Sequence, residues 1–134
     1  MKQLIEILQN SRHYTISVAN AMPADAYTFK PVAEVWSFGE LLNHIAYGIY
    51  WWQENFIKGN EIPWDPTTMS LEKADIIDGL QNAYDALNVT ITSAPAYPET
   101  MKGFHATMDH ITHHRGQAVV YLRLQRIVPP EYTF

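Results

Sequence analysis

The chain has 134 residues, which suits one domain around one core, and it carries nine Lys and Arg against 14 Asp and Glu, a net charge of −5. No run of Lys and Arg exceeds two residues, which argues against a nucleic-acid binder, whose positive face must meet phosphates. Cysteine is absent, so disulfides and thiolate metal sites are excluded and any thiol chemistry must take its thiol from outside.

Apolar residues make up 47% of the chain, and four Trp, eight Tyr and five Phe imply an aromatic-rich core or pocket lining. The opening residues Met1-Lys2-Gln3-Leu4-Ile5-Glu6 lack the apolar run of a signal peptide. No segment of about 18 apolar residues occurs that could span a membrane. A cytoplasmic protein without membrane or nucleic-acid partners is the expectation.

Four helical segments are predicted. The first runs from about Lys2 to Asn20, with Leu4, Leu8, Ser11, Thr15 and Val18 at helical spacing and Met22-Pro23 ending it. The second has the clearest start. Ser37-Phe38-Gly39-Glu40 reads as a capping box, Trp36 is placed to staple onto Leu41, and Gly59-Asn60 closes the helix. Leu41, Ile45, Gly48, Trp52 and Phe56 form its predicted buried stripe, with His44 beside it. The third helix takes Ser70 as N-cap and Leu80, Ala83, Tyr84, Leu87 and Ile91 as its apolar face, up to Pro95 and Pro98. Val89 to Thr92 is β-branched enough to suit either helix or strand. The fourth is expected from near Gly103 to about Arg126, with Thr107, His110, His114, Gln117 and Tyr121 on its inner face. Four helices with long joints make a bundle.

His110 and His114 stand at i,i+4, where a helix stacks side chains on one face, and can chelate one cation with little rearrangement. His44 is the candidate third ligand, because its apolar neighbours turn it inward. Imidazole nitrogens suit zinc, nickel, copper or ferrous iron. Glu40 and Gln117 are the polar groups placed to orient the rings. The plainer readings are a solvated HxxxH face and a hydrogen-bonded core histidine at position 44. His13, His105 and His113 read as surface or supporting residues. Arg115 reads as an ion-pair partner on the outer face, and Gly116 as a hint of close helix packing. Tyr47, Tyr50, Trp51 and Trp52 read as packing rather than a ligand cage.

The segment Val35-Trp36-Ser37-Phe38-Gly39-Glu40-Leu41-Leu42-Asn43-His44, with His110-Ile111-Thr112-His113-His114-Arg115-Gly116-Gln117 and Tyr121-Leu122-Arg123, resembles the DinB/YfiT-like family of metal-binding proteins. The resemblance spans nearly the whole chain, a single domain over residues 1–134. It implies an all-α four-helix bundle, up-down-down-up with a crossover connection, commonly a homodimer. It also implies one divalent metal ion held by His44, His110 and His114, with water in the open positions. Zinc or nickel is the first expectation for that ion, and iron or manganese the second. The stretch from Trp64 to Met101 matches no motif, and that stretch would shape a pocket for a small-molecule substrate.

Two enzymatic readings follow from the resemblance, a metal-dependent hydrolase and an S-transferase using a low-molecular-weight thiol. Glu40, Asp109 and Tyr121 are candidate bases for the first; Arg12, Arg115 and Arg123 are the cations available to hold a carboxylated thiol in the second. The third reading is a non-catalytic metal-binding stress-response or interaction domain. A purely structural metal normally takes four protein ligands, and Asp75 or Asp78 is the carboxylate available as the fourth.

Overall fold

The computed structural model describes residues 1–134. It contains four helices, α1 (Lys2–Ala21), α2 (Phe38–Phe56), α3 (Lys73–Ser93) and α4 (Pro98–Leu124), with a 3-10 turn at Ala24–Ala26. The Val89–Thr92 segment is helical, inside α3. None of the helices is long and apolar enough to cross a membrane.

The capping box at α2 is present in full. The Ser37 hydroxyl accepts from the Glu40 backbone N–H at 3.2 Å, and the Glu40 carboxylate accepts from the Ser37 N–H at 3.3 Å. Two other helix starts differ from the predicted ones. α3 begins at Lys73 after its N-cap Glu72, and Ser70 sits two residues before that cap, accepting from the Glu72 N–H and donating to Asp75. α4 begins at Pro98, five residues before Gly103, because proline at the first helical position lacks only an N–H that would have had no partner there. Pro98 therefore starts a helix, and the α3–α4 joint shrinks to residues 94–97.

Side-chain contacts fix the direction of every helix. Gln9 reaches Asn88, Ser11 and Thr15 reach Tyr84, and Lys73 donates to the Asn20 and Met22 carbonyls, so α1 and α3 are antiparallel. Gly39 lies against Ile76 and Gln53 bonds Thr90, so α2 and α3 are parallel. Tyr121 donates to the Trp36 carbonyl while Gly103 abuts the Phe56 backbone, so α2 and α4 are antiparallel. The order is up-down-down-up. α1 and α2 each pack on both α3 and α4.

Two parallel neighbours need a connection that returns the length of the bundle. α2 spans 19 residues, about 28 Å at 1.5 Å per residue, and residues 57–72 cover that span in extended form. This crossover is tied down α2 by side chains at positions 43, 47, 51 and 55. The Asn55 side-chain Oδ1 accepts from the Ile62 N–H at 3.0 Å, and the Trp51 indole donates to the Ile62 backbone carbonyl at 2.9 Å. The Tyr47 hydroxyl accepts from the Asp65 N–H at 3.0 Å, and Asn43 donates to the Ser70 carbonyl at 2.9 Å. Four residues at i,i+4 spacing thus form one polar edge of α2, and a segment with no secondary structure of its own is held beside the helix.

The buried face of α2 is wider than one stripe, since it meets two helices. Phe38, Leu41, Leu42, Ile45, Ala46 and Ile49 are buried. Trp52 is half-buried and Phe56 exposed, the two rings packing on each other at 4.8 Å. Arg115 is the largest departure from expectation. It is 4% exposed rather than on the outer face. Its guanidinium donates to the Ser11 carbonyl, the Ser11 hydroxyl and the Thr15 hydroxyl, and lies 4.7 Å from the Tyr14 ring centroid. The inward-facing Ser11 and Thr15 of α1 supply the acceptors that let this cation be buried without a carboxylate. Gly116 has open space where a side chain would extend, so it marks no close packing.

Candidate metal centre

His44 comes from the second turn of α2, and His110 and His114 from adjacent turns of α4. The antiparallel packing of α2 on α4 brings the three rings to one point. The His44 Nε2 lies 2.9 Å from the His114 Nε2 and 3.2 Å from the His110 Nε2. Donor atoms of all three fall within 4.8 Å of one another, and the group contains no carboxylate. Asp75, one of the two candidate fourth ligands, is engaged by Ser70 instead, and neither it nor Asp78 joins the group.

Glycine makes the approach. A Cβ at Gly48, one turn after His44, would occupy the same space as the His110 ring. Gly103 plays the same part further along, where a Cβ would meet the Phe56 carbonyl. These two glycines let α4 close on α2, a role expected of Gly116.

The rings are oriented from behind. The His114 Nδ1–H donates to the Gln117 Oε1 at 2.9 Å, which leaves the His114 Nε2 as a lone pair facing the other two rings. The His110 Nδ1 is buried and has no hydrogen-bond partner. Trp36 lies over His44 with centroids 4.4 Å apart, and its carbonyl accepts from the Tyr121 hydroxyl. Burial, then the nearby His114, holds His44 down to about 4; burial and the neighbouring histidines do the same for His110. His114 is also lowered, chiefly by burial. All three rings are therefore neutral at pH 7, the form that binds a metal.

These residues fit a divalent ion. Two nitrogens about 2.0–2.1 Å from one ion, at angles between about 90° and 109°, lie about 2.8–3.4 Å apart. The two His44 separations, 2.9 and 3.2 Å, fall in that range. Three neutral imidazoles crowd their Nε2 atoms here, and one proton on His44 can bridge to only one of its two neighbours. A cation satisfies all three lone pairs at once.

Two cavities flank the cluster, divided by Trp36. The first, about 440 Å³, opens on His44 and is walled by Trp36, Tyr47, Trp64 and the 66–71 part of the crossover, with Glu40 and Asn43 on its floor. The second, about 430 Å³, opens on His114 beside Gln117 and Tyr121. Tyr47, expected as packing, is thus a wall of the first cavity. Trp64 carried no signal beyond its setting between two prolines, and the crossover places it 5.4 Å from the His44 ring. Of the candidate bases, Glu40 borders the first cavity, while Asp109 is exposed and borders neither. The Tyr121 proton is held by the Trp36 carbonyl. No Lys or Arg lines either cavity; Arg12 pairs with Asp85, and Arg115 is buried. His13, His105 and His113 are exposed and outside the cluster, although the His113 ring lies 4.8 Å from that of His114.

An all-α bundle with three histidines converging from two helices, next to open cavities, defines a class of helical proteins with a metal-competent centre. The DinB superfamily profile matches residues 7–118, and the chain belongs to that family. The chain is similar to the crystal structure of a DinB-like protein from Bacillus subtilis, at 19% identity with a TM-score of 0.81 over 98% of both chains. It is likewise similar to a DinB-like protein from Bacillus cereus, at 14% identity and a TM-score of 0.81, covering 98% of this chain and 96% of the other. Among curated proteins none matches significantly.

Proposed function

We propose that the protein is a metal-dependent enzyme of hydrolase type, with one divalent ion, zinc or nickel first, held by His44, His110 and His114. The convergence of three neutral imidazoles without a fourth protein ligand carries this reading, because an open coordination position separates catalytic sites from structural ones. An ion so held supplies Lewis acidity and lowers the pKa of a bound water to about 7.

The chain's own residues prepare the site for that chemistry. Gln117 fixes the tautomer of His114, and burial keeps His44 and His110 unprotonated at neutral pH. Trp36 lies over His44 and stands between the two cavities, one opening on His44 and the other on His114. Their size suits a small molecule. Hydrolysis is favoured over thiol transfer by the absence of any Lys or Arg on either cavity wall, since a carboxylated thiol would call for one. The same reading takes the protein as a homodimer.

Elemental analysis of purified protein is expected to give one divalent ion per chain, and His114→Ala is expected to lose it while circular dichroism stays helical. Unchanged stoichiometry in that variant would remove the three-histidine site. Chelation should abolish ester or amide hydrolysis and added metal restore it, without any thiol present. Thiol consumption with an electrophile would instead favour the transferase. A melting temperature that collapses on chelation, with neither activity, would favour the non-catalytic metal-binding domain.

A further inference from the structure

We propose that the 440 Å³ cavity beside His44 is a recognition site for a small organic cation of the methylated ammonium type, and that such a cation is part of the substrate. This rests on the hydrolase reading for its place in a reaction, but the binding itself stands on the cavity alone.

Three aromatic side chains wall the cavity. The rings of Tyr47 and Trp64 pack edge to face at 87° with centroids 4.7 Å apart, and both border the cavity. Trp36 closes the side next to His44. Trp36 and Trp64 are 44% and 43% exposed although each is among the largest side chains in the protein, so ring surface is left open to the cavity. Aromatic ring surface lining a cavity attracts a cation desolvated by methyl groups.

Charge points the same way. Glu40 is the only carboxylate on the cavity wall, and no cationic side chain stands there to neutralise it. Its carboxylate makes one long bond of 3.3 Å to the Ser37 N–H. The remaining polar groups, including Asn43, are uncharged. Glu40 is exposed and keeps its bond from the Ser37 N–H, so in this cavity it repels an anion and attracts a cation.

The walls are also held in place before any ligand arrives. The Tyr47 hydroxyl is fixed by the Asp65 N–H, and the Trp51 indole holds the Ile62 carbonyl two residues before Trp64. Preformed walls reduce the ordering cost of binding.

Choline and its neutral isostere 3,3-dimethyl-1-butanol separate charge from shape. Isothermal titration of the chelated protein should show choline binding at least about tenfold more tightly than the isostere, and a bound ion at His44 should narrow that preference by its own charge. Glu40→Gln keeps the capping box, because glutamine serves at that position, and should remove most of the preference. Trp64→Phe should weaken choline binding without altering the helical spectrum. Equal binding of the two probes, no binding of choline, or a preference untouched by Glu40→Gln overturns the cation site. Absence of metal by elemental analysis overturns the hydrolase reading instead, and the choline preference of the chelated protein is measurable either way.

Discussion

Gly48 and Gly116 are both helical glycines within a few residues of a candidate ligand, and their surroundings are opposite. A Cβ at Gly48 would overlap the His110 ring, whereas one at Gly116 would meet nothing. Alanine favours helix over glycine by about 1 kcal/mol, so Gly116→Ala is expected to raise unfolding stability by about that amount and leave metal affinity unchanged. Gly48→Ala gains the same propensity but displaces the ring that must point its Nε2 at the ion. Its metal affinity should fall at least about tenfold, in the range seen when a ligand's supporting contact is lost. Competition titration against a chromogenic chelator measures both variants; equal affinities for Gly48→Ala and the parent protein would mean that His110 has room to relax or does not ligate. Neither glycine declares this in the sequence. Gly116 reads as a hint of close packing because a glycine in mid-helix is costly, yet what decides is the neighbour across the helix interface, which a single chain of letters does not contain.

At the scale of the element, the start of α2 is the best-specified feature of the chain. The Ser37 hydroxyl and Glu40 carboxylate satisfy each other's backbone N–H groups, and the turn they fix carries Trp36 in front and His44 behind. Ser37→Ala should cost about 1 kcal/mol by urea denaturation. It should also loosen Trp36, whose carbonyl anchors Tyr121 across the bundle, which a shift in tryptophan emission would report. A variant with parent stability and emission would show that the Glu40 half of the box suffices. This start was legible because its signals are local: a hydroxyl, a carboxylate three residues on, an apolar run. The His110/His114 pair was legible for the same reason, since i,i+4 spacing is a property of one helix. Pro98 misleads because proline both ends helices and begins them, and the choice depends on whether the turn before it is helical. Arg115 misleads because its acceptors, Ser11 and Thr15, lie a hundred residues away. The rungs at 43, 47, 51 and 55 are regular in sequence, but Tyr47 and Trp51 read as core until the crossover that they hold is seen.

At the scale of the whole molecule, the parallel pairing of α2 and α3 requires a crossover, and the crossover roofs the cavity over His44 with Trp64 and residues 66–71. Burying three histidines in this way ties stability to pH. His44 and His110 titrate near 4 in the fold and near 6.5 in the unfolded chain. Between those values the unfolded chain takes up protons that the folded one refuses, so unfolding becomes easier as pH falls. Above about pH 6.5 both states hold neutral rings and the contribution is flat. The metal-free protein should therefore melt at a steady temperature from pH 8 to about 7 and at falling temperatures from about 6.5 towards 4. Glu54, lowered chiefly by its hydrogen bond from Lys58, adds its own loss only below its ordinary value of 4.5, which separates the two effects. His110→Gln should flatten the slope between pH 6 and 5 in calorimetric melts of chelated protein. An unaltered slope in that variant would place the acid sensitivity elsewhere in the molecule. With the ion bound, protons must also compete for the ligands, so the melting temperature of loaded protein should fall more steeply over the same interval and meet the metal-free curve at its acid end.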